Sequence, residues 1–206
     1  MTVPNYWRQA TRELAVRDPI LKKIISGSKG LTLRSRGDAF NTLARSIVGQ
    51  QISVKAAQSV WEKFAAAVPA MRPEIIHKHD ADALRQCGLS RSKVGYLQDL
   101  ARHFTEGILD DREWARMSDE ELISELTQVR GIGRWTAEMF LIFYMTRPDV
   151  LPVGDLGLQR AMSLHYNRGR PLTMRKIDSI SKCWTPWRSV ATWYMWRSLD
   201  PVPVEY

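Results

Sequence analysis

The chain has 206 residues, of which 44% are hydrophobic and 25% are charged, and this composition excludes an intrinsically disordered chain. Its formal net charge of +8 is typical of proteins that bind a polyanion, although a basic surface kept only for solubility would show the same excess. No uncharged apolar run is long enough to span a bilayer, and the N-terminus has no apolar signal segment, so we expect a cytoplasmic protein.

Hydrophobic residues recur at helical spacing along the chain, and strand-like alternation is scarce, so the sequence predicts an all-α fold. Asp18-Pro19 predicts the start of a short helix that ends near Gly27 or Gly30. Ser53 is a good N-cap for a later helix. The helix between them carries one buried face, formed by Phe40, Leu43, Ala44, Ile47 and Val48.

Polar residues mark the starts of further helices. Asp80 or Asp82 predicts the beginning of a short helix. Ser90 or Ser92 predicts the cap of the helix that follows it. Near the end of the chain, Thr185-Pro186 places a capping residue before a proline, which predicts that the last helix begins with this proline at its first position.

A helix, a glycine turn and a second helix follow one another in the middle of the chain. Ser118 and Glu121 form a capping-box pattern at the first helix, and Gly131-Ile132-Gly133 forms the turn. Such a turn leaves backbone amides unpaired at the start of the second helix, where they suit a phosphate group. Arg130 and Arg134 flank the turn and could reach neighbouring phosphates. The same glycines also suit an ordinary turn between packed helices.

One carboxylate lies at a helix start, directly after a proline–glycine bend. Residues 151–154 form the bend, and Asp155 follows it. The commonest role of an aspartate at this position is the N-cap. A fixed carboxylate can also stabilise positive charge on a substrate, and the two roles are compatible. Asp149 is a weaker candidate because it precedes the bend.

The sequence predicts no metal centre built from side chains. Cys87 and Cys183 are far apart and form no CxxC pair, so they cannot by themselves hold zinc or an iron–sulfur cluster. The histidines show no ligand spacing with a cysteine or a second acid, and we interpret them as surface or hydrogen-bonded polar residues. They are His77, His79, His103 and His165.

Four ordered segments together resemble the HhH-GPD superfamily of DNA base-excision glycosylases. Residues 129–137 resemble its helix-hairpin-helix, and residues 151–155 resemble its Gly/Pro-rich loop and aspartate. Residues 43–53 are similar to its early helix and wedge loop, and residues 186–196 to its last helix. The resemblance runs from about Asp38 to Trp196. Within the superfamily it points to the alkylbase type, DNA-3-methyladenine glycosylase II.

The resemblance assigns roles to particular residues. It implies that Asp155 stabilises the oxocarbenium-like charge on the sugar or orients the attacking water. It places Trp135, Met139 and Trp196 in the base pocket, although most tryptophans of the chain could simply be core residues. Because Met139 stands where the alkylbase type often has an aromatic residue, a broad substrate range is in doubt.

DNA contacts are also implied by the resemblance. Gln50, Gln51 and Ile52 would form the wedge loop, with Gln51 at the position that plugs the gap in the duplex; an ordinary polar connection between helices is the alternative. The hairpin residues would bind the DNA backbone. They are Arg130, Gly131, Ile132, Gly133 and Arg134.

Two departures from other branches of the superfamily restrict the chemistry. Trp135 stands where the glycosylase-lyases carry the lysine that forms a Schiff base, so we expect no lyase activity. The iron–sulfur branches need four cysteines near the C-terminus, where this chain has only Cys183, so we expect no cluster and no required cofactor. The family hairpin can hold Na⁺ or K⁺, which here would bind the main-chain carbonyls of Thr127, Val129 and Ile132.

We therefore expect one compact unit over residues 1–206, with two lobes and the catalytic aspartate in the cleft between them. Lobe one spans 38–147 and contains the helix-hairpin-helix of about 118–145. Lobe two consists of residues 1–37 plus 148–206.

The function implied is that of a monofunctional DNA glycosylase in base excision repair. It would flip alkylated bases of the 3-methyladenine or 7-methylguanine type out of double-stranded DNA, hydrolyse the N-glycosidic bond and leave an abasic site. It would act as a monomer, away from membranes, and an AP endonuclease would process its product. The alternatives are a glycosylase for 8-oxoguanine or deaminated bases and a non-catalytic helix-hairpin-helix DNA-binding protein. Asp155 disfavours the last, because phosphate binding gains nothing from an acid that faces the DNA backbone.

Overall fold

The computed structural model describes residues 3–28, 30–35 and 37–199, and these residues form α-helices, two short 3₁₀ segments and no β-strand. The predicted all-α fold is confirmed. None of the described helices combines the length and the low polarity that crossing a bilayer requires. The helices are α1 (Trp7–Arg17), α2 (Pro19–Gly27), α3 (Ala39–Gly49), α4 (Val54–Ala67), α5 (Pro73–Lys78), α6 (Ala81–Gln86), α7 (Arg91–Thr105), α8 (Asp119–Leu126), α9 (Arg134–Phe143), α10 (Leu156–Tyr166), α11 (Met174–Ser181) and α12 (Arg188–Leu199).

Backbone contacts divide the described chain into two compact units. The first comprises the residues up to 36 and those from 141 onwards, and the second comprises residues 37–140. The later boundary falls inside α9, after Phe140, whereas the lobes expected from the sequence meet after Arg147. The cleft between the lobes stays a prediction, and residues 200–206 of lobe two lie outside the described residues.

Asp18 holds several elements of the first unit together. Its Oδ1 accepts hydrogen bonds from the amides of Ile20 and Leu21, at 2.9 and 3.2 Å, and so begins α2 where the sequence predicts. Its Oδ2 accepts from the Tyr166 hydroxyl at 2.6 Å and from the Trp184 indole at 2.9 Å. These donors replace the water that the buried carboxylate has lost.

Aromatic rings pack α1 against α12 within the first unit. Trp7 meets Trp193 edge-on, with ring centroids 5.1 Å apart and planes at 90°, and lies 5.7 Å from the Tyr194 ring. Trp7, Ala10 and Leu14 form the buried face of α1. This helix was not predicted, because three apolar positions among many polar residues give only a weak periodic signal.

A row of aromatic rings lies in the core of the second unit. Phe40 of α3 contacts Phe104 of α7 at 5.4 Å, Phe104 contacts Trp114 at 5.9 Å, and Trp114 contacts Phe140 of α9 at 5.4 Å. Each ring meets the next edge to face, an arrangement that contributes about 0.5–1.5 kcal/mol per pair beyond burial. The apolar face predicted for α3 is confirmed, since all five of its residues are buried.

The helix caps predicted in the second unit are present, with Asp80 rather than Asp82 and Ser90 rather than Ser92 as the capping residue. Ser53, Asp80 and Ser90 accept hydrogen bonds from backbone amides three residues further on and begin α4, α6 and α7. Ser118 and Glu121 form the complete capping box of α8. Local sequence is sufficient at these positions because the acceptor and the unpaired amide lie in the same turn.

The predicted start of the last helix is wrong. α12 begins at Arg188, two residues after Pro186. Its first amides are bound from outside: Asp149 Oδ1 accepts from the Arg188 amide at 3.2 Å, and the Pro148 carbonyl accepts from the Ser189 amide at 3.0 Å. These acceptors come from a distant part of the chain, so a local capping pattern cannot reveal them.

Candidate active site

Asp155 is the N-cap of α10, as the sequence predicts. Its backbone is extended, with φ −75° and ψ 120°, and its Oδ1 accepts a hydrogen bond from the Leu158 amide at 2.6 Å. Two backbone hydrogen bonds of 2.9 Å close the preceding loop, from Val153 to Leu151 and from Asp155 to Pro152. The loop and the cap together fix the position of the carboxylate.

Trp196 of α12 binds the same carboxylate oxygen. Its indole Nε1–H donates to Asp155 Oδ1 at 2.7 Å, and its ring stacks on Phe143 with centroids 5.7 Å apart and planes at 13°. Gly157 leaves room for both, because a Cβ there would lie 3.1 Å from Oδ1 and 3.2 Å from Trp196 Cδ1. Trp196 was expected only as a pocket residue, and its hydrogen bond to Asp155 was not predicted.

Asp149, the weaker catalytic candidate, forms an ion pair with Arg188. Its two carboxylate oxygens accept from Nε and Nη2 of Arg188 at 2.8 and 2.9 Å. One of them also binds the Arg188 amide at the start of α12. Asp149 therefore has a structural role, which supports the preference for Asp155.

The hairpin between α8 and α9 depends on Gly131. This residue has a φ of +87°, in the left-handed region that favours glycine. A Cβ at Gly131 would lie 2.3 Å from Cδ2 of Tyr96, whereas one at Gly133 would meet no atom within 4 Å. The two glycines of the motif are therefore not equivalent, and Tyr96 is a hairpin contact that sequence reasoning missed.

Asp99 of α7 also binds the hairpin, and the sequence did not lead us to predict this contact. It is 7% exposed, and its Oδ2 accepts from the Arg130 amide at 2.9 Å while Oδ1 accepts from Arg102 Nη2 at 3.1 Å. Burial acts to raise the pKa of Asp99, but these hydrogen bonds outweigh it and hold the pKa below its usual value. An aspartate between the buried Leu97 and Leu100 of an amphipathic helix is the signal that could have revealed it.

The two arginines expected to bind phosphate differ in their surroundings. The Arg130 side chain is 69% exposed and lies 3.5 Å from Asp99. The Arg134 guanidinium donates to both oxygens of Glu120 and, at 3.0 Å, to Glu138. The hydrogen bonds to Glu120 raise the pKa of Arg134. A phosphate contact by Arg134 would therefore compete with two carboxylates.

The expected wedge residues lie between α3 and α4. Gln50 is half-buried and its Nε2 donates to the Gly131 carbonyl at 2.8 Å. Gln51 has a φ of +58° and is exposed, and Ile52 is 40% exposed. The structure thus brings Gln50 to the hairpin and leaves Gln51 and Ile52 at the exposed tip of the loop.

The remaining predicted pocket residues share one face of α9, four positions apart. Trp135 is 38% exposed and Met139 is 4% exposed. The structure therefore brings Trp135 and Met139 together within the second unit, and Asp155 and Trp196 together within the first. Contact of these side chains with a base stays a prediction.

The carbonyls expected to hold a monovalent cation belong to the hairpin. Thr127 is the C-cap of α8, and the Val129 carbonyl accepts a hydrogen bond from the Ile132 amide at 3.1 Å. Cation binding there stays a prediction. Among the described residues, no group of three or more His, Cys, Asp or Glu side chains is arranged to hold a metal ion.

Comparison with known families identifies the arrangement. Residues 44–186 match the HhH-GPD superfamily of base excision DNA repair proteins. The chain belongs to this superfamily. The matched stretch contains the wedge loop, the hairpin and Asp155. It ends before Trp196, so the indole that binds Asp155 lies outside the HhH-GPD match.

Relatives and solved structures support this membership. DNA-3-methyladenine glycosylase 1 of Schizosaccharomyces pombe is 32% identical over 182 residues, covering 86% of this chain and 80% of that protein. The 3-methyladenine DNA glycosylase Mag1 of the same yeast, in complex with abasic DNA, superimposes with a TM-score of 0.78 at 30% identity, covering 96% and 98% of the two chains. A DNA-3-methyladenine glycosidase from Bacillus halodurans gives a TM-score of 0.86 at 32% identity, covering 97% and 93%. The HhH-GPD fold expected from the sequence is confirmed.

Proposed function

We propose that this HhH-GPD protein is a DNA glycosylase that removes alkylated bases from double-stranded DNA by hydrolysis. The observation that carries the proposal is the fixed carboxylate of Asp155, whose Oδ1 accepts from the Leu158 amide and the Trp196 indole at 2.6 and 2.7 Å. Hydrolysis of an N-glycosidic bond develops positive charge on the sugar, and a preorganised anion stabilises that charge. Relatives named as DNA-3-methyladenine glycosylases support alkylated bases as the substrate class.

The reaction breaks the bond between C1′ of the sugar and a nitrogen of the base, and the bonding electrons leave with the base. Positive charge develops on the sugar, and the carboxylate of Asp155 stabilises it. A water oxygen then bonds to C1′ and its proton passes to solvent. An N3- or N7-alkylated purine is already cationic, so it leaves as a neutral base and needs no acid from the protein.

Aromatic side chains suit this class of base. A cationic ring is attracted to an aromatic face by about 0.5–2 kcal/mol per contact. Trp135 and Trp196 would each offer such a face to the base, and the adaptable thioether of Met139 would also contact the base. In this proposal Trp196 acts twice, because its face contacts the base while its indole N–H holds Asp155.

The base must leave the duplex before its sugar can be attacked. Gln51 and Ile52, at the exposed tip of their loop, would fill the gap that remains. The hairpin would bind phosphates through its backbone amides and Arg130, with Na⁺ or K⁺ on its carbonyls where such an ion is bound. The protein would act as a monomer, and its abasic product would pass to an enzyme that processes abasic DNA.

We further propose that the enzyme is monofunctional. A lyase needs an amine that attacks C1′, and Trp135 occupies the position where lyases of the superfamily carry that lysine. Borohydride reduction during turnover should therefore trap no covalent protein–DNA adduct. A trapped adduct would contradict the monofunctional assignment and leave glycosylase activity itself intact.

Chromatography of released bases is the experiment that tests the proposed function. Methylated, oxidised and deaminated duplexes are incubated with the protein, and free bases are separated from DNA. We expect 3-methyladenine or 7-methylguanine from the methylated duplex only. Release of 8-oxoguanine or a deaminated base instead would change the substrate class. DNA binding without release of any base would overturn the proposal in favour of a binding protein.

A further inference from the structure

One face of α7 contacts both segments that are expected to meet DNA in the second unit. Lys93, Tyr96 and Asp99 follow one another at intervals of three residues, so they are neighbours on the helix surface. We call them the α7 anchor residues. They connect the loop of residues 50–53 and the hairpin to the same rigid helix.

Lys93 binds the segment that leads into the loop. Its ammonium donates to the Val48 carbonyl at 2.8 Å. Val48 lies in the last turn of α3, where carbonyls lack partners within the helix and a cation is favourable. Burial lowers the pKa of Lys93, as expected for an ammonium that has left water for a protein acceptor. The end of α3 is thereby tied to α7.

Tyr96 and Asp99 bind the hairpin. The Tyr96 ring lies so close to Gly131 that no Cβ fits between them, and Asp99 accepts from the Arg130 amide at 2.9 Å. One contact fixes how far the turn lies from α7, and the other fixes its position along the helix. The hairpin backbone is therefore set by α7 before any phosphate is bound.

Gln50 connects the two segments directly. Its Nε2 donates to the Gly131 carbonyl at 2.8 Å, and the next residue, Gln51, has a φ of +58°. Non-glycine residues hold this conformation only where their surroundings impose it. The Gln50 side chain thus reaches the hairpin, while the two residues after it, Gln51 and Ile52, are exposed.

We infer that the α7 anchor residues and Gln50 are positioning residues that set the distance between the loop tip and the hairpin. The inference rests on the proposed function, because extrusion of a base requires the loop and the hairpin to act on the same nucleotide. A misplacement of about 1 Å in such an arrangement can reduce a rate about 100-fold. None of these residues has to touch the reacting atoms.

Lys93→Met and Gln50→Met test the inference, because each removes one donor and keeps the length of the side chain. Single-turnover release of an alkylated base is measured from a duplex and from the same strand alone, where no base has to leave a duplex. We expect the duplex-to-single-strand ratio of rates to fall about fivefold to tenfold, as loss of one such hydrogen bond predicts. A variant that is merely unstable loses both rates together and leaves the ratio unchanged.

Matched controls make the same chemical changes elsewhere in the second unit. Lys63 and Gln86 are exposed on α4 and α6, so Lys63→Met and Gln86→Met should keep the ratio of the parent. A control ratio that falls as far as that of the Lys93 and Gln50 variants would overturn the inference, because loss of charge or polarity alone would then explain the effect.

Fluorescence of 2-aminopurine beside an abasic site in a duplex gives a second measurement that needs no base release. Binding of the parent should increase the fluorescence, and the Lys93 and Gln50 variants should give a smaller increase at saturation. If the parent releases bases while its variants keep both the ratio and the fluorescence, the inference is wrong and the proposed function stands. If the parent releases no alkylated base, the proposed function fails and the fluorescence alone decides the inference.

Discussion

The indole N–H of Trp196 and the amide of Leu158 donate to the same oxygen of Asp155, at 2.7 and 2.6 Å. The amide alone would suffice to begin α10, because an N-cap needs only one backbone donor. The second donor comes from α12 and ties the carboxylate to another helix of the first unit. This relationship distinguishes a candidate catalytic aspartate from an ordinary helix cap.

Asp155→Asn separates the charge of the carboxylate from its capping role. Asparagine caps helices as well as aspartate does, so the melting temperature should change little. Loss of the anion should reduce single-turnover base release about 100- to 1000-fold, while affinity for an abasic duplex stays close to that of the parent. Asp149→Asn is the matched control. It weakens the ion pair with Arg188, so it should lower the melting temperature, while the rate of base release by the folded protein should not change. Equal turnover by Asp155→Asn and the parent would remove Asp155 from the mechanism.

Trp196→Phe removes the indole donor and keeps an aromatic ring for stacking on Phe143. A hydrogen bond to a charged acceptor contributes about 1.5–3 kcal/mol, so kcat should fall at least about tenfold with a smaller change in KM. Trp187→Phe removes a comparable indole donor, the one that binds Glu13 at 2.8 Å, and should affect only the free energy of unfolding. Similar kcat values for the two variants would show that the Trp196 hydrogen bond has no part in turnover.

Gly131→Ala and Gly133→Ala distinguish the two glycines of the hairpin. Alanine at 131 must adopt a left-handed backbone, which costs about 1–2 kcal/mol, and must also displace the Tyr96 ring. Urea denaturation should therefore give a free energy of unfolding lower by at least that amount. Gly133→Ala meets open space and should stay within about 0.5 kcal/mol of the parent. Equal losses of unfolding free energy for both variants would mean that neither the left-handed backbone of Gly131 nor its contact with Tyr96 restricts the residue at this position.

Asp99 should make stability depend on acid pH. Its pKa in the folded protein is below its usual value, so the ionised carboxylate stabilises the fold above about pH 4, the ordinary range for aspartate. This contribution is lost as the pH falls further, through the folded-state pKa. The difference in free energy of unfolding between the parent and Asp99→Asn should therefore shrink as the pH is lowered from about 6 to about 3, a range that includes the ordinary pKa of aspartate. A constant difference across this range would contradict the effect.

Features that arise within one or two helical turns could be predicted from the sequence. The buried face of α3, the capping box of Ser118 and Glu121, and the N-cap position of Asp155 are confirmed. In each case the interacting groups are neighbours along the chain, so residue type and spacing suffice. α1 was missed because its polar composition hides the three residues that it buries.

Local backbone preferences and helical periodicity were sufficient to predict the all-α class, the glycine turn and the aspartate after its bend. The groups that bind the turn and the aspartate are set by the packing of the helices. The Trp196 indole on Asp155, Tyr96 against Gly131 and Asp99 on the Arg130 amide join distant parts of the chain. Such contacts depend on how helices pack, and no spacing within a single helix specifies the partner that another helix presents.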